Sequence, residues 1–437
     1  MDIVNNLVLV FYFFPAVLVL FYAFNKYRKH NRSVKKLEER LAAKQDVPSS
    51  LHPDFDLSKC IGCGACVPAC PEKVVIGLIN RKPHIVDPSH CIGHGACRLA
   101  CPVNAIKLVF GSKTRGVDIP FVSPSFETNI PGVFIAGELG GMGLVRNAIT
   151  QGKQAVESIV KAKKKARKDQ YDVIIIGAGP AGLSSTLGAM KAKLNHLTIE
   201  QDSFGGTVAH FPRGKIVMTS TVNLPLVGKV NIGGEISKED LLKKWIAIKK
   251  KYKVKVNTGE RMEKLEMDPQ GGFVISTTKG VYKTQAVLLT IGRRGTPRTL
   301  GVPGENKTKV VYRLEDPREY QGKHVLIVGG GDSALEAAHS ISEEEGSTVT
   351  LSYRSASFSR AKPKNQDKIN VAEQAQKITV LYKSNVKAIE DNRVIIECQD
   401  KMHEVPNDAV IISAGGVLPT PMLKDLGIQV NTKYGEE

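Results

Sequence analysis

Twice in this chain a run of aliphatic residues stops at a glycine-rich turn and gives way to a helical pattern, and few arrangements constrain a fold more tightly. The first is "YDVIIIGAGPAGLSSTLGAMKAKLNHLTIE" at 171–200. Its aliphatic run suits a strand buried on both faces, and Gly177, Gly179 and Gly182, with Ala181 inside the turn, fit G-x-G-x-x-G. The first glycine of that pattern permits the tight turn. The second lets backbone approach a pyrophosphate, and the third lets the helix pack closely on the strand. Glu200, eighteen residues beyond Gly182, ends the next strand where a carboxylate can accept hydrogen bonds from a ribose.

The second unit, "HVLIVGGGDSALEAAHSISEEEGSTVTLSYR" at 324–354, sets Gly329, Gly331 and Ala334 in the same places, with Asp332 and Ser333 between them. Eighteen residues on from Ala334, the position of the acid holds Ser352, and Arg354 follows two further along. No carboxylate there repels a 2′-phosphate, and Arg354 with Arg360 can bind one, so NADPH is favoured over NADH. The expected fold class is therefore α/β, with two Rossmann-like nucleotide domains joined through "LLTIGRRGTPRTLGVPGE".

Seven of the eight cysteines lie between Cys60 and Cys101, clustered as metal ligands are rather than spread as in a disulfide framework. "CIGCGACVPACPEKVVIGL" at 60–78 aligns with "CIGHGACRLACPVNAIKLV" at 91–109, a duplication at a spacing of 31 residues. The first copy is C-x2-C-x2-C-x3-C-P, an iron–sulfur run whose fourth cysteine reaches the other cluster. In the second copy His94 stands where a cysteine is expected. Either its imidazole binds iron, or the corner is vacant and the cluster is [3Fe-4S], or the second cluster does not assemble. Cys398 stands alone in a strand-like stretch and is read as a buried structural thiol.

From Leu7 to Phe24 eighteen successive residues carry no charge, about the length that crosses ~30 Å of hydrocarbon as a helix. Pro15 is tolerable in a span, and the bulky end before a basic stretch favours an uncleaved anchor over a signal peptide. Lys26, Arg28, Lys29, Arg32, Lys35 and Lys36 follow, so the positive-inside rule sets the amino terminus outside the cytoplasmic membrane and all later domains in the cytoplasm. Part of the net charge of +18 is explained this way. The remaining basic runs, "KAKKKARK" and "KKWIAIKKKYKVKV", carry no nucleic-acid-binding motif, so nucleic acid is not an expected partner.

Residues 51–112 resemble bacterial two-cluster ferredoxins, a small α+β fold. The resemblance implies one [4Fe-4S] cluster on Cys60, Cys63, Cys66 and Cys101, and a second on Cys70, Cys91 and Cys97 with position 94 as the remaining corner. The carboxyl-terminal half resembles the two-dinucleotide-domain flavoproteins: the low-molecular-weight thioredoxin reductases and, through "GGTVAHFPRGKIVMT", the bacillithiol-disulfide-reductase-like proteins. That resemblance implies FAD on the first nucleotide unit and NADPH on the second. It also implies Gly206 and Thr207 near the flavin, interdomain crossings at Gly292 and Gly415, and commonly a homodimer.

This chain departs from that family in two ways. Between 296 and 412 its only cysteine is Cys398, so no C-x-x-C dithiol relay is present. The segment "ETNIPGVFIAGE" at 127–138, with Gly137 and Glu138, ends such proteins but here precedes the first fingerprint, which points to a circular permutation. The expected division is a transmembrane anchor (1–25), a basic juxtamembrane linker (26–50), the ferredoxin-like domain (51–112) and a permuted part of the FAD domain (113–168). The main FAD domain (169–295), the NAD(P)H domain (296–412) and a return to the FAD domain (413–437) follow.

Such a chain reads as a membrane-anchored NAD(P)H oxidoreductase exchanging electrons among NADPH, FAD and clusters, with a redox protein or small molecule as further acceptor and ferredoxin–NADP reductase-like activity. Two other readings are a thioredoxin-reductase-like or low-molecular-weight disulfide reductase, and an electron-transfer subunit or redox sensor docking to a membrane complex. No side chain is an evident general acid or base.

Overall fold

The computed structural model describes residues 2–42, 51–88, 91, 93–112, 116–141, 143–162, 166–218, 221–231, 234–293, 295–358 and 361–436; for 2–16, 42 and 296 it describes backbone alone. The chain divides into two compact units, 1–116 with 433–437, and 117–432.

In the first unit α1 (Asp2–Ala42) is one continuous helix, followed by β1 (His52–Phe55), α2 (Cys66–Ala69), β2 (Ile76–Ile79), β3 (Lys82–Ile85), α3 (Ala96–Leu99) and β4 (Ile106–Val109). β1 pairs antiparallel with β4, and β2 with β3, so each copy of the cysteine repeat spans one short helix and ends in a strand. This is the expected small α+β arrangement. Val75, Ile76, Ile106 and the sulfurs of Cys66 and Cys97 share its core.

The expected linker at 26–50 differs: the backbone stays helical to Ala42, while 43–50 lie outside the described residues. The helix is docked on the β2–β3 hairpin. Any Cβ on Gly77 would stand 2.5 Å from Ser33 Oγ, Asn80 N–H donates to His30 Nδ1 at 3.3 Å, and Arg40 pairs with the buried Asp87 at 3.5 Å. No helix among the described residues is long and apolar enough to cross a membrane, so they do not carry the expected transmembrane helix. The side chains of residues 7–16, over half of the apolar run, lie outside them.

The second unit is built on two large sheets, with smaller ones of two or three strands beside them. Strands β7 (Tyr171–Ile176), β8 (His196–Glu200) and Val281–Leu289 form the parallel centre of a seven-stranded sheet, with Asn257–Thr258 beyond β8 and an antiparallel hairpin, Met262–Met267 and Phe273–Thr277, on the other side. Ile174, Ile175, Val287, Leu288 and Leu289 are fully buried, as continuous aliphatic runs in a sheet covered on both faces must be.

Residues that precede the first fingerprint complete this sheet. After β5 (Val117–Pro120), β6 (Val133–Ile135) pairs parallel with Val287–Leu289. Helix α4 (Val145–Ala162) then lies on the fingerprint helix α5 (Pro180–Lys191) so closely that a Cβ on Gly152 would stand 2.3 Å from the Ala181 carbonyl oxygen. Residues 429–432 return to the same place, where Phe121 N–H donates to Gln429 O at 2.8 Å and Thr432 Oγ1 to Asp118 Oδ1 at 2.8 Å, whereas 433–437, expected in the FAD domain, group with the first unit.

The second sheet is parallel, in the order Val310–Val311, Ala409–Ile412, His324–Val328, Thr348–Tyr353, Ile378–Tyr382. The other α-helices described in this unit are α6 (Lys238–Lys251) in the first nucleotide domain, α7 (Asp332–Ser342) and α8 (Pro363–Gln374) in the second, and α9 (Thr420–Asp425) near the carboxyl end.

Candidate nucleotide and cluster sites

The first glycine turn is built as its spacing demands. Gly177 has φ +106°, and a Cβ there would stand 2.6 Å from Thr290 O. A Cβ on Gly182 would stand 1.9 Å from Gly177 O, so only glycine lets α5 sit this close to the strand. Gly179 is different: only Gly206 Cα, at 3.9 Å, comes near its Cβ direction. Gly179 is the N-cap of α5, Pro180 is at the helix start and no side chain caps it, so the first amides of the helix face a space shaped for an anion.

Glu200 is buried at the end of β8 and reaches back to the turn: Oε2 accepts from Ala178 N–H at 2.7 Å and Oε1 from Asp202 N–H at 3.0 Å. Ala181 is buried against Gly137, whose Cβ would stand 3.0 Å from the Ala181 methyl. Gly206 has φ +55° and lies against Gly179, and Thr207 Oγ1 stands 4.0 Å from the Cβ direction of Gly292. The structure thus gathers Gly137, Gly177, Gly179, Ala181, Gly182, Glu200, Gly206, Thr207 and Gly292 around one turn. Glu138, next to Gly137, is exposed, with Oε1 over Gly143. A buried carboxylate fixed by backbone amides beside an open glycine turn fits the ribose and pyrophosphate of FAD.

Two residues here escape sequence reasoning. Gln151 accepts the Gly137 N–H at 2.8 Å and so holds that turn from α4. Arg293 donates to Asp118 O at 2.8 Å; burial lowers its pKa, while Glu138 and Asp118 draw it up. The only sequence signal was a basic pair after a strand-ending glycine.

In the second turn, a Cβ on Gly329 would stand 2.4 Å from Ser413 O, whereas nothing lies within 4 Å of the Cβ direction of Gly331. Ala334 is buried against this turn and Ser333 is exposed at the start of α7. Asp332 is differently employed from the expected nucleotide contact. Its Oδ1 accepts from Lys362 N–H at 2.7 Å and Asn365 Nδ2 at 2.8 Å, pinning the start of α8. Ser352 is buried and shares a 2.8 Å hydrogen bond with Ser384, so its hydroxyl is turned into the sheet. Arg354 is exposed beyond the strand, and Arg360 lies outside the described residues.

Cys66 has Cys60, Cys63 and also Cys97 near it, and Cys97 has Cys91 and Cys70. Burial pushes the Cys66 thiol up to about 11, with Cys97, Cys63 and Cys60 adding to the rise. Burial does the same for Cys97, also to about 11, with Cys91 and Cys70 contributing. Cys101 Sγ accepts from Ala105 N–H at 3.2 Å. Thiolates forced together in so apolar a place need compensating positive charge, which iron supplies. Among the described residues no three His, Cys, Asp or Glu side chains close on a single ion. A cubane asks for something wider, since each of its irons takes its own sulfur. Cys70, Cys91, His94 and Cys97 line one cavity, with Glu72 also in its wall.

Two stretches of the chain match known protein families. Residues 52–102 match the 4Fe-4S dicluster domain, and residues 174–435 match the family described as pyridine nucleotide-disulphide oxidoreductase. The chain is 32% identical over 259 residues to a ferredoxin–NADP reductase of Metallosphaera sedula, covering 56% of this chain and 73% of that protein. It is 26% identical over 271 residues to the bacilliredoxin reductase Bdr of Bacillus subtilis, covering 61% and 83%. The bacillithiol disulfide reductase of Staphylococcus aureus superposes with a TM-score of 0.51 at 26% identity, covering 60% of this chain and 82% of that one. The chain therefore belongs to the pyridine nucleotide-disulphide oxidoreductase family, as an FAD-dependent NAD(P)H oxidoreductase with a 4Fe-4S dicluster domain at residues 52–102.

Proposed function

We propose that this enzyme is held at the membrane by its apolar amino-terminal segment and passes electrons between NADPH, FAD and the clusters of its dicluster domain, with a separate redox partner as acceptor or donor. The observation that carries this reading is one chain holding two glycine-turn cradles together with two sets of clustered cysteines. NADPH supplies hydride, FAD converts two-electron to one-electron traffic, and each cluster carries one electron. The protein's own residues bind and orient. Glu200 and the amides at the start of α5 hold the ribose and pyrophosphate of FAD, while Arg354 takes the 2′-phosphate of NADPH. Similarity to the ferredoxin–NADP reductase of Metallosphaera sedula supports the same assignment.

Anaerobic titration of the purified full chain with NADPH, followed by visible absorption and electron paramagnetic resonance, tests this. Flavin bleaching followed by cluster signals is the expected course; NADPH that reduces neither refutes the proposal. The membrane part is tested separately by fractionation: protein that leaves the membrane in alkaline carbonate is not anchored by a span.

The similarity to bacilliredoxin reductase favours a second reading, disulfide reduction. It lacks a dithiol here. Cys398 is the only cysteine of the NADPH domain, and its Sγ donates to Tyr382 O at 3.2 Å. Reduction of low-molecular-weight disulfides as fast as of one-electron acceptors would establish it instead.

A further inference from the structure

The two cysteine loops of the dicluster domain share a backbone and differ in one ligand. Gly62 and Gly64 bracket Cys63 with φ of +74° and +76°, and Gly93 and Gly95 bracket His94 with +71° and +81°. A Cβ on Gly62 would stand 2.8 Å from Arg81 O, and one on Gly93 2.8 Å from Leu51 O. Those on Gly64 and Gly95 would meet a leucine methyl, Leu78 Cδ1 at 3.0 Å and Leu108 Cδ1 at 3.1 Å. The left-handed conformation and the close carbonyl restrict these places to glycine, so both loops are held to one course. Gly62 N–H donates to Cys60 Sγ at 3.4 Å, and Gly93 N–H bonds the Cys91 sulfur in the same way. His94 therefore leaves the backbone from the setting that Cys63 has in the other copy.

The direction it takes is inward. His94 is half-buried, whereas Cys63 is exposed, and it lines one cavity with Cys70, Cys91 and Cys97, the three cysteines assigned to the second cluster. The rest of the wall is mainly apolar, with Pro53, Val75 and Leu108 among its residues. A histidine kept only for solubility has no reason to turn toward three sulfurs.

We infer that His94 is the fourth ligand of the second cluster, an imidazole nitrogen binding the iron that a cysteine binds in the first copy; this rests on the dicluster reading above. The imidazole donates a lone pair without bringing negative charge, so the second cluster carries one negative charge fewer than its twin in each oxidation state. An added electron meets less repulsion, and the second cluster takes the more positive potential. In a partly reduced protein the electron rests there, which makes the histidine corner the collecting end of the pair.

The test uses the full chain labelled with [15N]histidine and reconstituted anaerobically with iron and sulfide. Wild type is expected to hold two complete cubanes, with nitrogen coupling in pulsed electron paramagnetic resonance on the cluster reduced first. His94→Cys, which restores the ferredoxin pattern and so disturbs folding least, should keep both cubanes, lose the coupling and shift that cluster to a more negative potential. A three-iron signal in wild type, two cubanes without nitrogen coupling, or an unshifted potential in His94→Cys overturns the inference alone. Failure of wild type to bind any cluster overturns the dicluster reading with it.

Discussion

Replacing Gly179 by alanine separates the space a ligand needs from the space the fold needs. Gly179 has extended backbone angles, φ −73° and ψ −165°, that alanine adopts freely, and its new methyl would meet only Gly206 Cα at 3.9 Å. The protein without flavin should lose nothing, and a gain of about 0.4–1 kcal/mol from a stiffer unfolded chain is expected. The same methyl would stand where a pyrophosphate approaches the backbone. Overpacking of that kind costs about 1–3 kcal/mol, which weakens FAD binding roughly fivefold to 150-fold. Gly182→Ala inverts the outcome. Its methyl would stand 1.9 Å from Gly177 O and 3.0 Å from Thr290 Oγ1, so α5 must move off the strand, and the flavin-free fold should lose about 3 kcal/mol. Flavin content after gel filtration, calorimetric titration of the apoprotein and thermal unfolding read the two effects apart. Wild-type FAD affinity in Gly179→Ala would show that this turn is not the pyrophosphate cradle.

Other substitutions probe the remaining sites. Arg354→Gln should raise the KM for NADPH on the order of tenfold or more, the loss of a charged hydrogen bond to phosphate, and leave that for NADH nearly unchanged in steady-state assays. Gly331→Ala meets no atom within 4 Å and should keep fold and flavin while weakening both nicotinamide nucleotides, read by fluorescence titration. Arg40→Met takes the guanidinium from the buried Asp87 and should cost about 3 kcal/mol in thermal unfolding; Arg40→Met with Asp87→Asn should recover part of the loss. Cys398→Ser should leave NADPH oxidation unchanged, whereas a large fall would give that thiol a redox role.

How far the sites were legible depends on how local their physics is. A glycine turn declares itself because the demand for positive φ or close approach falls on single positions, and Glu200 is fixed by its distance along one strand–helix–strand unit. The order of the cysteines was equally plain, and so was the misplaced segment at 127–138, which lies in the sheet of the fingerprint it precedes. The basic run after Phe24 was less legible. Charged residues at helical spacing look the same whether a helix is solvated or docked, and it is contacts such as Ser33 against Gly77, His30 with Asn80 and Arg40 with Asp87 that tell the two apart. Asp332 is a similar case: its place in the fingerprint suggested a nucleotide contact, while Lys362 and Asn365, thirty residues or so away, take its carboxylate.

By itself, then, the sequence determined which backbones could form the two nucleotide turns and the two cysteine loops, because these depend on residues a few positions apart. Tertiary structure alone decided which distant groups meet there: Gln151 on Gly137, Arg293 beside Glu138, and His94 turned toward Cys70, Cys91 and Cys97. Such meetings are set by how helices and strands pack across long stretches of chain, and packing is read by shape in three dimensions rather than by spacing in one.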